Sequence, residues 1–556
     1  MYDGANTDVT TSTPVTPTTV ARVSRVLLGP GGPSDGNVRQ RGLATPVVMA
    51  ALACATVLTR LPLLTPRLAH WDAVNYALGL HNFNVAAHQP HPPGSPYFIG
   101  LGRAALAITG DDKAALIVVS LMASVGAVLG EYALARLVFG RRAALLSALV
   151  LMTQPAFWGY GTMASAWTVL ACLAVGIGAL CAALWQGARR LVIPSAIALG
   201  LASGFRLDVT MFLAPLWLLA VWRAEPGLRR RCLAVGLVVG GVALWLAPVA
   251  AGTDGGVNGW WGRLLALLPD SSQGALARQL TANTLISFGT LVYTLGPSLV
   301  PAALCNWRAT ARWLRATFRW PHGVFWIAWI APAFVFLWLI DSTEPGHALV
   351  FVVALCALAG GVVVHAARSP RRLLLCGSAL LVAQAGVFLF AAPVSNGLVG
   401  ATLNAMLLNV TAPGLRQQQT SLEAALGVIQ EQFDAADTVV LTVTGQDAYR
   451  FMMYYLPDYQ VLRLDPQMHV VLGARERQQG HWQEASACLV DPARLHNLVW
   501  VLSSGADPGL IPKDGEHVSA GDGGLFDVWA ARPGGQPWEY LGFTFGGPCD
   551  TRVPPA

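Results

Sequence analysis

The sequence predicts an α-helical polytopic membrane protein of about 11 transmembrane helices with a long first outer loop, followed by a soluble α/β domain. Three observations carry this. Of 556 residues, 54% are hydrophobic and only 12% charged, with a mean hydropathy of +0.51; a soluble globular chain holds roughly 25% charged residues. Apolar stretches recur up to residue 392, many near the ~20 residues that cross ~30 Å of hydrocarbon. From residue 393 the composition becomes that of a soluble domain. An ordinary cytosolic enzyme is excluded.

The elements follow in order. Residues 1–44, rich in Thr, Pro and Gly, contain no apolar core of signal-peptide length and read as a disordered cytoplasmic tail. The membrane domain, 45–392, holds spanning stretches at 45–64, 114–138, 143–158, 162–186, 191–205, 209–222, 232–252, 284–306, 323–340, 348–367 and 373–392. Arginine groups at 22–41, 136–142, 189–190, 223–231, 308–319 and 368–372 then all fall on the side of the N-terminus, which the positive-inside rule assigns to the cytoplasm. The expectation is a multi-pass plasma-membrane protein whose C-terminal domain, 393–556, is extracytoplasmic. This requires residues 65–112, including the apolar piece Tyr97–Ile108, to form an outer loop whose helices lie on or dip into the membrane. Further outer loops cover 253–283 and Asp341–His347.

In the C-terminal domain, helices are expected at 417–433 and 446–455 and strands at 438–443, 459–464, 468–472, 498–502 and 526–530. Seven of the nine cysteines lie in or beside spans, where a thiol acts as a small apolar group. Cys488 and Cys549 are the pair in the outer domain, and spacing leaves their bonding open. The net charge of +6 contains only two lysines, Lys113 and Lys513, and no arginine cluster interleaves with aromatics on a polar segment, so no nucleic-acid partner is expected. Nucleotide-binding glycine loops and CxxC motifs are absent from the sequence.

Ionisable groups near the bilayer are costly unless solvated, paired or used. They concentrate in the first outer loop, where four of eleven histidines fall between His70 and His91. Asp72 is the sole acid between the first span and Asp111. It is a candidate general base; alternatively it caps a helix beginning at Ala73. Tyr76 flanks it as an interfacial aromatic. His88 and His91 are candidates for contact with a lipid phosphate, ahead of the rigid Pro92-Pro93-Gly94 turn. Their spacing fits no zinc pattern, and the loop is poor in carboxylates for Mg²⁺, so no metal or other cofactor is expected.

Arg206, between two short spans, needs an anion: Asp208 as a structural pair, or the phosphate of a lipid-linked donor gripped bidentately. Glu344 and His347, on a short outer rim, are candidate binding residues or solvated turn residues. Trp260, Trp261 and Arg263 fit sugar stacking or an interfacial aromatic belt equally. Asp111-Asp112 reads as the N-terminus of the second span.

With these residues in hand, the chain resembles the GT-C superfamily of membrane glycosyltransferases, in the group of protein O-mannosyltransferases and lipid A aminoarabinose transferases. The likeness runs over about residues 45–470. It rests on Asp72 and Tyr76 in the long loop, His91-Pro92-Pro93-Gly94, Arg136–Ala144, Thr153-Gln154-Pro155-Ala156-Phe157, Asp447-Ala448-Tyr449-Arg450 and Tyr454–Tyr459. The resemblance implies transfer of a sugar from a polyprenyl-phosphate carrier to a glycan, lipid or protein acceptor on the outer side, inverting the anomeric centre. It assigns Asp72 as base and puts His91 near the donor phosphate. Two departures stand out: Ala73 replaces a second acid, and Gly159–Trp167 contains no acid. Both weaken a metal-assisted mechanism and leave acceptor activation to one carboxylate. A transporter or lipid flippase, or a scaffold that kept the fold and lost the chemistry, are the competing readings; no internal repeat of the kind many transporters carry is visible.

Overall fold

The structure, a computed structural model, describes residues 45–265, 273–340, 344–393, 407–408, 410–443, 448–465, 470–474, 482–484, 495–503, 506–518 and 525–545. The 1–44 tail, Asp341–Thr343, Asp447, Cys488 and Cys549 lie outside these residues.

The protein is a multi-pass membrane protein. Its described helices coincide with all eleven apolar stretches, and nine are long and apolar enough to cross a membrane. They are α1 (Thr45–Arg60, with the turn to Leu63), α4 (Asp112–Phe139), α7 (Trp167–Trp185), α9 (Leu207–Ala224), α10 (Leu228–Ala251), α12 (Gln273–Thr317, apolar from Leu280), α13 (His322–Leu339), α14 (Leu349–Ala366, with the turn from Pro345) and α15 (Pro370–Phe390). The other two stretches make shorter helices, α5 (Arg141–Thr153, continued by α6, Pro155–Tyr160) and α8 (Val192–Phe205). Between α1 and α4 lie α2 (Trp71–His81) and α3 (Pro96–Thr109), the latter only 14 residues and so no span. The loop after α10 contains α11 (Gly256–Leu265). Helix α12 outruns its apolar stretch at both ends and departs from helical geometry at Asn306.

Short-range chemistry sets the breaks. Asp111 caps α4 by accepting from the Ala114 amide at 2.8 Å, as an acid at a helix N-terminus should. At Gln154 the chain leaves α5; its side chain accepts from the Phe157 amide at 2.7 Å and starts α6 at Pro155. The Met152 carbonyl beside this break accepts from the buried Arg60 guanidinium at 2.8 Å. Arg206 is the single extended residue between α8 and α9, so its side chain sits where two helix ends meet. Helix α14 is buried nearly all round and forms the centre of the bundle; Trp329 of α13 donates to its Val350 carbonyl at 2.8 Å. The sulfurs of Cys305 and Cys376 face each other between α12 and α15.

The C-terminal domain places α16 (Ala412–Gln432) and α17 (Ala448–Tyr455) against a mixed sheet of order β4-β3-β2-β1-β5-β7-β6. The strands are β1 (Thr438–Val443), β2 (Gln460–Asp465), β3 (Val470–Ala474), β4 (Trp482–Glu484), β5 (Asn497–Ser503), β6 (Glu516–His517) and β7 (Phe526–Ala531). β1 runs parallel to β2 and β5, with Leu441 opposite both Leu462 and Trp500. The remaining pairs are antiparallel, and β8 (Trp538–Tyr540) with β9 (Phe543–Phe545) makes a separate hairpin.

This domain docks on the segment between α1 and α4. Asp112 accepts from Tyr454 at 3.0 Å and contacts His81 at 2.7 Å. Tyr455 accepts from the Leu68 amide at 2.7 Å, while Gln419 bonds both the amide and the carbonyl of Arg67. Asp112 thus does more than start a span.

Candidate active site

The site is built where several helix ends meet. Helix α2 is capped by His70, whose Nδ1 accepts from the Asp72 amide at 3.3 Å. Asp72 therefore does not cap a helix at Ala73; it occupies the first helical turn, and its carboxylate is left for other work. It meets His91, with Oδ1 3.2 Å from Nδ1. Burial opposes charge on Asp72, but the imidazoles of His91 and His70 and the Arg206 guanidinium outweigh it and hold the carboxyl well below the usual carboxylate range.

His70 also joins a second carboxylate to the site. With Nδ1 accepting, Nε2 carries the proton and lies 3.3 Å from Glu344 Oε2. The other Glu344 oxygen accepts from the Tyr160 hydroxyl. The acid missing from Gly159–Trp167 thus arrives from a distant rim and meets that segment through Tyr160.

Arg206 is 8% exposed and makes the structural pair with Asp208: Nε lies 3.2 and 3.1 Å from the two oxygens and Nη2 2.9 Å from Oδ2. Its guanidinium carbon lies 3.5 Å from the Trp167 ring centroid. Nη1 is buried with no hydrogen-bond partner. His347 completes the group, with Nδ1 3.0 Å from Asp208 Oδ2 and its ring 4.5 Å from that of Trp167. Gly346 makes this approach possible, since a Cβ there would lie 2.1 Å from the Trp167 ring.

Tyr76 is 1% exposed, packed against Phe98 and His91. Burial, and then the Asp72 charge, push its phenol up. His88 lies further out. Burial first, then Arg450, His91, Arg463 and Arg263, press its imidazole down to about 3, so it is neutral. Arg450, 2% exposed, donates to the Ala87 carbonyl and lies 5.9 Å from the Trp71 ring centroid. Trp260 packs with Val85 and Ala250 and donates to the Pro93 carbonyl at 3.3 Å, while Trp261 is exposed.

The structure thus gathers Asp72, Tyr76, His91, Arg206, Glu344 and His347 and sets His88 at their edge. Sequence reasoning missed His70, Tyr160, Trp167 and Arg450 as parts of this arrangement, and Asp208 was weighed only as a partner for Arg206. Among the described residues no three His, Cys, Asp or Glu side chains converge as a metal-binding group.

Residues 90–251 match the dolichyl-phosphate-mannose-protein mannosyltransferase family. The fold is similar to the ArnT crystal structures from Cupriavidus metallidurans bound to undecaprenyl phosphate and in the apo state. Each is 16% identical over 87% of this chain and 97% of that one, with a TM-score of 0.53. The apo Archaeoglobus fulgidus oligosaccharyltransferase aligns over 75% of this chain and 64% of its own, at 16% identity and a TM-score of 0.43. No curated relative matches the chain. By fold, and by the family match over residues 90–251, the chain is similar to membrane glycosyltransferases of the GT-C type.

Proposed function

We propose that the protein transfers a sugar from a polyprenyl-phosphate carrier to an acceptor on the extracytoplasmic side of the plasma membrane, with inversion at the anomeric carbon. The observation that carries this is one enclosed cluster holding an ionised carboxylate, Asp72, and a buried guanidinium, Arg206, with a donor to spare. The ArnT structure bound to undecaprenyl phosphate supports a lipid-phosphate donor by analogy of fold. The arginine pattern supports a cytoplasmic N-terminus and an outer C-terminal domain.

In the reaction, the acceptor hydroxyl forms a C–O bond to the anomeric carbon as the bond to the phosphate oxygen breaks. Asp72, oriented by His91, takes the hydroxyl proton. The departing lipid phosphate collects charge where Arg206 Nη1 is unsatisfied, and an aimed donor in a dry site stabilises that charge strongly. Asp208 and His347 hold the guanidinium in place. The lipid tail stays in the bilayer, and the acceptor, whether glycan, lipid or protein, approaches from water.

The test is transfer from polyprenyl-phosphate sugars by purified protein in lipid, with Asp72→Asn and Arg206→Gln beside it. Wild-type transfer lost in both variants supports the reading. Transfer that survives Asp72→Asn removes the base, and a flippase or scaffold would be indifferent to that change.

A further inference from the structure

Behind the Asp72 and His91 pair, two carboxamides are enclosed with nothing to bond. Asn75 and Gln89 are both 0% exposed, and neither the oxygen nor the nitrogen of either amide has a hydrogen-bond partner. Buried polar side chains are nearly always satisfied, so four orphaned atoms at one place call for an explanation.

Their placement follows from the helix. Positions 72, 75 and 79 of α2 share one face. A Cβ at Gly79 would lie 3.1 Å from the carbonyl carbon and oxygen of Gln89, so the backbone crosses α2 there in direct contact. Two residues later His91 meets Asp72. Asn75 therefore lies between these two crossings, a turn from the reactive carboxylate.

The segment that covers this face is strained. Residues 84–95 form a strap closed by reciprocal 2.8 Å backbone bonds between Asn84 and Gln89. His88 and Ser95 both sit at φ of 56°, and Gly94 at 126°. Among the described residues only Leu541 is another non-glycine residue with positive φ. Such strain gathers at clamps and sites that change shape. The strap is held at Ala87 by Arg450 and at Pro93 by Trp260.

We propose that Asn75 and Gln89 are the sugar-recognition groups of the site. The strap lifts from α2, and the transferred sugar seats its hydroxyls on the two amides beside Asp72. Each carboxamide offers both donors and an acceptor, which matches hydroxyls that also do both. A phosphate would use only the donors, and a lipid chain would use neither. This rests on the sugar-transfer reading and deepens it.

The experiment compares Asn75→Leu and Gln89→Met with wild type, using polyprenyl-phosphate-linked mannose, glucose, galactose and arabinose as donors. Replacing orphaned polar atoms by apolar ones of similar shape is neutral or stabilising, so the melting midpoint should stay or rise. kcat/KM should fall at least tenfold for whichever donor wild type uses. A donor lacking the hydroxyl that meets one amide should lose rate with wild type and none further with the matching variant. A kcat/KM within twofold of wild type overturns the proposal. So does a midpoint that drops in both variants, which would show that the amides already hold buried water. Wild-type protein that transfers no polyprenyl-phosphate-linked sugar, with the panel widened to amino sugars and other pentoses, would instead sink the transfer reading itself, a result distinct from active wild type with unaffected variants.

Discussion

Two carboxylate–imidazole pairs stand in one site, Asp72 with His91 at 3.2 Å and Asp208 with His347 at 3.0 Å. They differ in what else each carboxylate holds. Both Asp208 oxygens bond Arg206, Oδ2 also meets His347, and Oδ1 also accepts from the Val209 amide at 2.9 Å. Its lone pairs are used, and it acts as a strut. Asp72 has one ion pair, to His91, and keeps lone pairs for a proton. On the proposed mechanism, the same two residue types at almost the same separation serve as scaffold in one place and as reagent in the other, and the number of remaining bonds distinguishes them.

Four changes would break or sharpen that contrast. Asp72→Asn should lower transfer by roughly 10²–10⁴-fold, the usual worth of a positioned base, with a smaller loss of thermal midpoint than Asp208→Asn; a wild-type rate would make Asp72 a strut as well. Asp208→Asn should do the reverse in kind. It strips a buried guanidinium of its counter-charge, a loss of about 3–5 kcal/mol for a buried pair, seen as a lower thermal midpoint or loss of monodisperse protein. A folded but inactive Asp208→Asn protein would exchange the two roles.

Gly346→Ala pushes a methyl against the Trp167 ring that the Arg206 guanidinium covers, and overpacking of this kind costs about 1–3 kcal/mol. Stability should fall and the KM for the lipid donor rise; unchanged values would show that the ring yields freely.

The smallest effect is expected from His91→Gln, and it concerns pH. Because the folded state holds the Asp72 carboxyl low, its ionised form persists below the ordinary carboxylate pKa and is lost only as pH falls through the folded value. Removing the leading charge that lowers it raises that folded value, so the acid limb of kcat/KM should move to higher pH. A shift of about one unit corresponds to about 1.4 kcal/mol of lost interaction. An acid limb that stays in place would uncouple His91 from Asp72.

Much of the architecture was legible in the sequence. Apolar runs locate the eleven helical stretches because bilayer thickness fixes their length, and the residue pattern of the C-terminal domain marks β1, β5 and β7 to within a residue at each end. Asp72 stood out because it is the lone acid of its loop. Partnerships were much less legible. Asp208 and His347 are 139 residues apart, and Tyr160 and Glu344 are 184 apart; nothing local encodes either meeting. His70 rather than Asp72 caps α2 because packing against Glu344 orients its ring, and spacing alone allows both. Arg450 was visible only as part of a family-like motif, since its targets, Ala87 and Trp71, are chosen by domain docking.

The clasp between Arg450 and Ala87 joins residues 363 positions apart. A ribosome threads the reactive loop through the bilayer long before it delivers the guanidinium that fastens it. Nascent chains, and any terminated before Arg450, would thus sit in the membrane unfastened, and competence would come only once Arg450 has been made.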